Sequence, residues 1–305
     1  MPEWSAEVTV DADLARRLIA EQFPELALDS LRLLGEGWDT TVWLVDDEWA
    51  FRFPRRQYVI AGIENEMALL PQLAPLLPLH IPNPTFRGRP AEAYRWPFYG
   101  APFLPGRELA EAGLDESERA RLAQPLANFL RTLHSLELDV ELPVDPVRRA
   151  DMEYRVPATR KRLAELESLG LWSPPQIVSE LLAAAERLAT PAPTAVVHGD
   201  LHLRHLLVDE GGAPSAVIDW IDLSRNDPCV DLVLFWCVLP PAGRMAFLDA
   251  YGAVSEEQLL RARVLALFLC GTLAVYGHRG PGAAHARGPR RPGSHDSCLT
   301  RRGLP

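Results

Sequence analysis

The sequence predicts an α+β fold in which a small antiparallel sheet precedes a larger, mainly helical part. Two observations support this class. Short apolar runs broken by turn residues crowd into the first hundred positions, as expected for strands joined by tight turns. After Pro105-Gly106, apolar residues recur at helical spacing instead. The chain has 305 residues, 48% hydrophobic and 24% charged, and is long enough to bury a sizeable core.

The first part begins with a helix and continues with strands. Apolar residues at helical spacing predict a helix over 11–23, with an Asp available as N-cap. The turn residues that follow separate short strands expected at 31–34, 41–45 and 49–53. A helix is expected over 60–70, where Pro71 should end it. An irregular segment at 71–90 then precedes a strand at 91–104 that leads into a connector.

The second part is mostly helical. Asp115 and Glu118 have the spacing of a capping box, which predicts a helix that runs to about residue 136. Further helices are expected at 150–169, 176–189, 230–239, 243–251 and 255–276. A β-rich insert interrupts them, with strands at 195–197, 206–208 and 216–218.

These patterns divide the chain into an N-terminal lobe (1–98), a hinge (99–106), a helical C-terminal lobe (107–279) and a tail (280–305). The tail contains five Gly, four Pro and five Arg against one Asp, and it lacks an amphipathic pattern. Such a composition predicts disorder. Because the tail contributes +4 to the chain's net charge of −10, residues 1–279 carry −14.

The charge balance limits the classes of partner. The 41 acidic residues outnumber the 31 basic ones. Such a surface repels nucleic acid and anionic lipid and favours cationic partners, although acidity can also serve solubility alone. No run of 18 uncharged apolar residues occurs, so we expect neither a membrane-spanning helix nor a membrane partner. The acidic N-terminus lacks the apolar core of a signal peptide, and we expect a cytoplasmic protein.

Gly35 and Gly37 lie in a turn between two predicted strands. Glycines in a strand–turn–strand segment let backbone N–H groups approach a phosphate. Two glycines in a turn are also typical of a plain hairpin, so this segment alone leaves both interpretations open.

Ala50 and Arg52 share one face of the next strand, because side chains alternate along a strand. A small residue two places before a cation is the A-x-K pattern of kinase strand three, where the cation holds phosphates. Here the cation is Arg52, and arginine can pair with phosphate bidentately. Glu66 is the favoured partner of Arg52 and Glu64 is the competitor. A surface arginine on an edge strand is the alternative.

The most specific pattern begins at His198. It precedes Asp200 by two positions, and His205 follows Asp200 by five. This resembles the kinase catalytic loop H-R-D-x-x-x-x-N, with His205 at the place of the metal-binding Asn. Nineteen residues after Asp200, Asp219 ends a predicted strand, as does the metal-binding Asp of D-F-G. A carboxylate on a loop, followed by a hairpin that returns a second carboxylate, indicates phosphoryl transfer.

Other interpretations of these residues stay open. His198, His202 and His205 could form the metal cluster of a hydrolase, although zinc sites usually show tighter local patterns. His198 is expected to hold the loop rather than to act in catalysis, and no role is assigned to His202. Asp227 and Asp231 are expected to bond loop backbone and to cap the helix that follows.

Three segments, HGDLH at 198–202, IDW at 218–220 and DPCVDL at 227–232, resemble the aminoglycoside phosphotransferase family, which has a protein-kinase-like fold. LRTLHSL at 130–136 is similar to a helix of that family. The resemblance covers about residues 12–276 and implies a two-lobed fold, with a small antiparallel-sheet lobe before a larger helical lobe. His205 in place of the usual Asn is similar to the aminoglycoside 2''- and macrolide 2'-phosphotransferases. Arg52 in place of lysine resembles the macrolide branch more.

The resemblance implies a role for each candidate residue. Asp200 is the catalytic residue, which accepts the proton of the substrate hydroxyl or orients it. His205 and Asp219 hold Mg²⁺. The residues implied to contact the nucleotide, ATP or GTP, are Gly35, Gly37, Ala50, Arg52, Glu66, Tyr99, Pro102 and Leu104.

The implied reaction is transfer of the γ-phosphate of ATP or GTP to a hydroxyl group of a small molecule. An aminoglycoside is the favoured acceptor, because aminoglycosides are polycations and the body of the chain is acidic; antibiotic resistance would be the corresponding role. The alternatives are a macrolide, another small metabolite with a hydroxyl group, and a nucleotide-binding protein without transfer activity.

Overall fold

The structure, a computed structural model, describes residues 6–140 and 142–279, so the tail expected at 280–305 lies outside the described residues. The chain divides into two compact units. The first contains the chain up to Pro105 together with Ala216–Leu223, and the second contains Gly106–Ser215 and the chain from Ser224 onwards. The boundaries expected from sequence had assigned 216–223 to the C-terminal lobe, whereas the structure groups this segment with the first unit.

The described part of the first unit contains two α-helices, two short 3-10 helices and a five-stranded sheet. The elements are α1 (Ala12–Gln22), β1 (Leu31–Glu36), β2 (Thr40–Val45), β3 (Trp49–Pro54), α2 (Ile60–Leu73), β4 (Phe86–Gly88) and β5 (Phe98–Pro102). The strands are ordered β1-β2-β3-β5-β4, and all neighbours are antiparallel. Asp11 caps α1 by accepting a hydrogen bond from the backbone N–H of Leu14.

The two faces of the sheet differ in chemistry. Phe51 and Phe53 of β3 are fully buried in an aromatic core, where Phe53 stacks on Phe98 of β5. Arg52, between these two residues, faces the opposite side of the sheet. It lies on the same face as Tyr99, its partner across the β3–β5 pair. The alternation expected from sequence thus places Arg52 away from the aromatic core.

The second helix continues past the proline that was expected to end it. Pro71 lies inside α2, which runs to Leu73. A proline removes the hydrogen bond to the carbonyl four residues earlier, here that of Met67. The guanidinium of Arg87 donates to this carbonyl at 2.7 Å and replaces the missing bond. The helix therefore extends one turn further than expected.

The segment between α2 and β5 differs from the sequence expectation in two ways. Part of the region expected to be irregular forms β4, and only Phe98–Pro102 of the strand expected at 91–104 is extended in the sheet. Ala91 and Tyr94 form an isolated bridge instead. Tyr94 turns its hydroxyl group inward, where it donates to the carbonyl of Pro54 at 2.6 Å.

The second unit is mainly helical. Its elements are β6 (Arg107–Glu108), α3 (Glu116–Arg121), α4 (Ala123–His134), α5 (Met152–Ser168), α6 (Gln176–Ala185), β7 (Ala195–Val197), β8 (Leu206–Val208), β10 (Ser224–Asn226), α7 (Leu234–Cys237), α8 (Pro241–Tyr251) and α9 (Glu256–Arg279), with β9 (Pro214–Val217) at the boundary of the two units. Antiparallel pairs join β6 to β8 and β7 to β10.

Two helices of this unit differ from the sequence expectation. The capping box at Asp115 is confirmed, but the single helix expected up to residue 136 is interrupted at Leu122. Pro125 explains the interruption, because its ring would meet the carbonyl of Arg121 in a continuous helix. The helix expected at 230–239 begins as a 3-10 helix, Pro228–Val233, before α7.

Within the described residues, α9 is long and apolar enough to cross a membrane by length and composition, although no such helix was expected. Half of its most apolar window is buried inside the protein, and α9 packs against α5, α6 and α7. This burial is what a core helix of a water-exposed domain shows, so α9 is weak evidence for a membrane span.

Candidate functional site

In the first unit, the face of the sheet opposite the aromatic core carries a cluster of charged side chains. Arg52 of β3 forms an ion pair with Asp219, and its Nε lies 3.5 Å from Oε2 of Glu66 in α2. The Arg52 side chain is almost buried and that of Glu66 is fully buried. One guanidinium therefore faces two carboxylates through different nitrogen atoms, which its planar fork permits.

Glu66, and not Glu64, is the partner of Arg52. Glu64 is exposed on α2, whereas both carboxylate oxygens of Glu66 accept hydrogen bonds. Oε1 accepts from the backbone N–H of Trp220 at 2.9 Å, and Oε2 accepts from the Tyr99 hydroxyl at 3.2 Å. Burial raises the pKa of Glu66 to about 7, against the lowering influence of Arg52 and of these donors.

Arg52 stays charged in this setting. Burial alone would lower its pKa, but the charges of Asp219 and Glu66 raise the pKa of Arg52 above its ordinary value. Asp219 adopts a left-handed backbone conformation, with φ of 65°, which is uncommon for a residue other than glycine. Its side chain keeps 32% exposure, so Asp219 has room for a further partner beside Arg52.

The segment that carries Asp219 lies close to α2. A Cβ atom on Gly62 would lie 2.6 Å from the carbonyl oxygen of Ile221, so only glycine allows this approach. The bond from the Trp220 amide to Glu66 fixes the same segment. These contacts explain why Ala216–Leu223 belongs to the first unit.

Gly35, expected in the turn, lies within β1 at an irregularity in its pairing with β2, and Gly37 begins the β1–β2 turn. Neither has a positive φ, a Cβ on Gly35 would meet nothing within 4 Å, and one on Gly37 would meet only the Thr40 carbonyl oxygen at 3.8 Å. Packing inside the unit therefore does not require glycine at either position. The Arg55 guanidinium donates to the Gly37 carbonyl at 2.6 Å, and the Gly37 amide donates to Thr40 at 2.9 Å, so the turn is tied to the end of β3.

Asp39, at the end of this turn, has partners that the sequence did not indicate. It accepts a hydrogen bond from the Tyr58 hydroxyl at 2.5 Å and lies 3.4 Å from the Arg56 guanidinium. Burial raises the pKa of Asp39, against the lowering influence of Tyr58, and the charge of Asp219 raises it further. The influence of Asp219 places Asp39 in the same electrostatic environment as the Arg52 cluster.

The remaining nucleotide-contact candidates lie on β3, β5 and the chain that follows. Ala50 faces Ala101 across the β3–β5 pair, on the side that carries Arg52. Tyr99 is buried and uses its hydroxyl group on Glu66, so its side chain supports the charged cluster. Pro102 is exposed and Leu104 is half-buried.

In the second unit, the loop after β7 is held by a buried carboxylate. Asp231 accepts hydrogen bonds from the backbone N–H of His198 at 2.8 Å and of Gly199 at 3.0 Å. Gly199 has φ of 94°, a conformation that favours glycine. The His198 ring is fully buried, and its Nδ1 accepts from the Asp200 amide at 3.2 Å. His198 and Asp231 thus hold the loop, as the sequence analysis expected.

A histidine from another helix completes this support. Nε2 of His134, at the end of α4, lies 3.1 Å from Asp231 Oδ2, and Nδ1 lies 2.7 Å from the Tyr251 hydroxyl oxygen. Burial alone would raise the pKa of Asp231, but its bond and charge interaction with His134 lower it overall. The segment 130–136 was quoted only for its resemblance; the structure shows that His134 fixes the carboxylate under the loop.

Asp200 lies at the surface of this loop, beside two imidazole rings. Its side chain is 35% exposed. His205 Nδ1 lies 2.8 Å from the Asp200 backbone carbonyl oxygen and 3.7 Å from Oδ2. His202 Nε2 lies 3.7 Å from the same Oδ2. The two rings stack with centroids 3.9 Å apart, so both histidines face one carboxylate oxygen.

Hydrogen-bond partners indicate the tautomer of each ring. A carbonyl oxygen only accepts, so His205 carries its proton on Nδ1 and offers a lone pair on Nε2. His202 Nδ1 accepts from the backbone N–H of Arg204 at 3.1 Å, so its neutral ring carries the proton on Nε2. Asp200, His202 and His205 have ligand atoms within 4.8 Å of one another, as a metal cluster would. A protonated Nε2 cannot ligate, and this argues against the hydrolase interpretation.

Sequence reasoning also missed the parts played by His202, the Tyr99 hydroxyl group and the amide of Trp220. His202 lies two positions after Asp200, a spacing that could have indicated contact, but its ring orientation depends on the Arg204 amide. The contacts of Tyr99 and Trp220 with Glu66 join segments far apart in sequence. No local pattern signals such contacts.

Comparisons with known proteins agree with this geometry. Residues 30–266 match the model of the phosphotransferase enzyme family (APH), which covers more than half of the chain. A curated relative, an uncharacterised protein of Bacillus subtilis strain 168, is 31% identical over 61 residues, so the match spans only 20% of this chain and 20% of that protein.

Solved structures extend the comparison over most of the chain. An aminoglycoside 2''-phosphotransferase of type IIIa, in complex with GDP and kanamycin, is 25% identical and covers 88% of this chain and 92% of its own, with a TM-score of 0.66. A macrolide 2'-phosphotransferase from Brachybacterium faecium is 23% identical, covers 92% and 99%, has a TM-score of 0.56 and shows the shared fold. The chain therefore belongs to the APH phosphotransferase family and is a small-molecule kinase with a protein-kinase-like fold.

Proposed function

We propose that the protein transfers the γ-phosphate of ATP or GTP, with Mg²⁺, to a hydroxyl group of an aminoglycoside. The observation that carries this proposal is the Asp200 carboxylate, exposed on a loop whose backbone is fixed from below by buried Asp231. Phosphoryl transfer depends mainly on positioning and charge neutralisation, and a rigid loop with an accessible carboxylate supplies the first.

The first unit supplies the proposed phosphate contacts. Arg52 is a permanent cation held in place by Glu66, and its guanidinium can pair bidentately with phosphate oxygens. Packing does not explain glycine at positions 35 and 37, and the absence of their side chains would allow a phosphate to approach this segment closely. In the proposal, Ala50 leaves room for the base, and the backbone of 99–104, with Tyr99, Pro102 and Leu104, contacts it.

Two residues are proposed to hold Mg²⁺. Asp219 offers carboxylate oxygen, the ligand type that Mg²⁺ prefers, and is partly exposed. His205 offers Nε2 with a lone pair, because its Nδ1 proton is bonded to the Asp200 carbonyl. When bound, the ion neutralises charge on the phosphate oxygens.

Asp200 is proposed to receive or orient the acceptor's hydroxyl proton. A hydroxyl group is a weak nucleophile until a base accepts its proton or aligns its lone pair with the phosphorus atom. The carboxylate is the general base that the loop presents, and its side chain is accessible enough for an acceptor to reach. Exposure of about one third also keeps the carboxylate hydrated before substrate binds.

The acceptor class rests on charge and on the relatives. Residues 1–279 carry a net charge of −14, which attracts a polycation such as an aminoglycoside. One structural relative was solved with kanamycin and another with gentamicin. The macrolide 2'-phosphotransferase relative and the presence of Arg52 favour a macrolide as the second candidate. We place the reaction in the cytoplasm, where nucleotide and magnesium are supplied.

A coupled assay of nucleoside diphosphate release tests the proposal. ATP and GTP are supplied separately with Mg²⁺ against a panel of aminoglycosides, macrolides and small hydroxylated amines. We expect release well above the acceptor-free rate with at least one aminoglycoside. The Asp200→Asn variant should lose this release. Its matched control is Asp209→Asn, on the exposed turn after β8, which should leave the rate unchanged.

The outcomes separate the candidates. Stimulation by macrolides alone would move the acceptor to that class. Nucleotide binding without acceptor-stimulated release across the whole panel would contradict transfer to these antibiotics, and it would favour another metabolite or a nucleotide-binding protein without transfer activity.

A further inference from the structure

His202 has no part in the proposed reaction, although its ring is buried beside the reacting carboxylate. It is 5% exposed, and Nε2 lies 3.7 Å from Asp200 Oδ2. Burying a polar ring costs free energy unless its nitrogen atoms have hydrogen-bond partners. The position therefore calls for an account of what each ring atom does.

The Arg204 amide fixes the orientation of the ring. It donates to His202 Nδ1 at 3.1 Å, so the neutral ring directs an Nε2–H group at Asp200. Hydrogen bonds in catalytic sites are often long before substrate binds and shorten in the reacting complex. A separation of 3.7 Å needs a shift of less than 1 Å to become a hydrogen bond.

His202 could act on Asp200 or on His205, because it touches both. The imidazole rings of His202 and His205 are tilted by 30° with centroids 3.9 Å apart, which is a stacking contact. Stacking would support the ligand His205, whereas the Nε2–H group would support the carboxylate. These two actions require different chemical features of the side chain, and substitution can separate them.

We propose that His202 is a positioning residue that holds the Asp200 carboxylate through its Nε2–H group while the acceptor hydroxyl reacts. The inference rests on the proposed phosphotransfer reaction. The donor fixes Oδ2 and so sets the rotation of the carboxylate about its Cβ–Cγ bond. A carboxylate that rotates freely would meet the hydroxyl group less often in a productive geometry, and a misplacement of about 1 Å can cost about 100-fold in rate.

Two substitutions separate the donor from the stacked ring. His202→Gln can place an amide N–H near the position of Nε2 but loses the aromatic ring. His202→Phe keeps the ring and loses the donor. We expect His202→Phe to lower kcat by about 10- to 100-fold, with the KM for nucleotide and the half-saturating Mg²⁺ concentration unchanged. His202→Gln should retain kcat within about threefold of wild type.

The opposite pattern overturns the proposal. If His202→Phe is active and His202→Gln is not, or if the Mg²⁺ requirement shifts in His202→Gln alone, the residue acts through stacking on His205. If both variants keep wild-type kcat, His202 has no positioning role. Equal circular dichroism spectra and urea midpoints show that each variant is folded.

A second measurement does not depend on turnover. Long-range proton–nitrogen NMR correlations of ¹⁵N-histidine-labelled full-length protein report the tautomer of each ring, with His202 assigned by its loss in His202→Gln. We expect a proton on Nε2 of His202, and an Nε2–H shift that changes in Asp200→Asn. A proton on Nδ1, or a signal insensitive to Asp200→Asn, contradicts the proposal. If the wild type is inactive with every acceptor, the phosphotransfer proposal fails. The NMR measurement would then still decide whether His202 donates to Asp200.

Discussion

The two functional regions of this protein are stabilised in different ways. In the first unit, the charged side chains of Arg52, Glu66 and Asp219 neutralise one another. In the second, Asp231 holds the backbone of the loop, and the Asp200 carboxylate faces two imidazoles. The first region depends on charge balance and the second on geometry.

The difference indicates how each region meets its ligand. In the proposed reaction, a phosphate or Mg²⁺ that binds to the first unit would compete with existing ion pairs, and Arg52 would divide its charge between Asp219 and the ligand. In the second unit, the Asp231 carboxylate is bonded to two backbone amides and to His134, and these bonds can stay in place when a substrate binds. Substitutions in the first unit should therefore change stability mainly through charge interactions, and substitutions in the second mainly through lost hydrogen bonds.

The largest effect on stability is expected at Asp231. Asp231→Ala leaves the buried amides of His198 and Gly199 and the His134 ring without their acceptor. Each unsatisfied buried group costs about 1–3 kcal/mol, so we expect the free energy of unfolding to fall by about 4 kcal/mol. Urea unfolding measures this change. Asp231→Asn, which keeps an acceptor oxygen, should lose less; an equal loss in both variants would contradict the account.

A smaller, pH-dependent effect is expected at Glu66. Its folded-state pKa of about 7 lies above the ordinary value of 4.5, so folding makes ionisation of Glu66 harder than it is in the unfolded chain. The stability that this shift provides is complete below pH 4.5 and is lost as the pH rises through 7. Relative to wild type, Glu66→Gln should therefore gain in the free energy of unfolding as the pH rises from 4.5 to 8.

Urea unfolding at pH 5, 6, 7 and 8 checks this prediction. Glu64→Gln, at an exposed position of the same helix, is the control and should differ from wild type by a constant amount. If the difference between wild type and Glu66→Gln grows in favour of wild type as the pH rises, Glu66 is instead stabilised as a carboxylate by Arg52.

The smallest effect is expected from Arg52→Lys. Arg52 uses Nε toward Glu66 and Nη2 toward Asp219, and a single ammonium group cannot keep both separations. We expect a loss of about 1–2 kcal/mol in the free energy of unfolding. The control is Arg32→Lys, whose pair with Asp47 is exposed and should contribute little. Equal stability of Arg52→Lys and wild type would show that an ion pair with one carboxylate supplies all of the stabilisation from this position.

Much of the fold could be predicted because its signals are local. The strand alternation around Arg52 and the Asp115 capping box depend on neighbours in sequence, and both are confirmed. The order of His198, Asp200, His205 and Asp219 was informative because all four residues lie in one loop and the short hairpin that follows it. The choice of Glu66 over Glu64 followed from helical spacing and agrees with the burial of Glu66.

The remaining features depend on contacts between distant segments. Pro71 was expected to end α2, but Arg87 donates the hydrogen bond to the Met67 carbonyl that proline, which has no N–H group, cannot donate. The assignment of Ala216–Leu223 to the first unit depends on the approach of Ile221 to Gly62. The role of the His202 ring depends on which of its nitrogens the Arg204 amide occupies. Composition and periodicity carry no record of these pairings.

The central claim is that Asp200 acts in transfer while the first unit binds nucleotide. It is tested by Asp200→Asn, with nucleotide affinity measured by calorimetry and transfer measured with the best acceptor from the panel. General-base catalysis contributes about 10²–10⁴-fold, so we expect at least a 100-fold loss of kcat with unchanged nucleotide affinity. If the variant keeps most of its kcat, Asp200 is not the catalytic residue and the account fails.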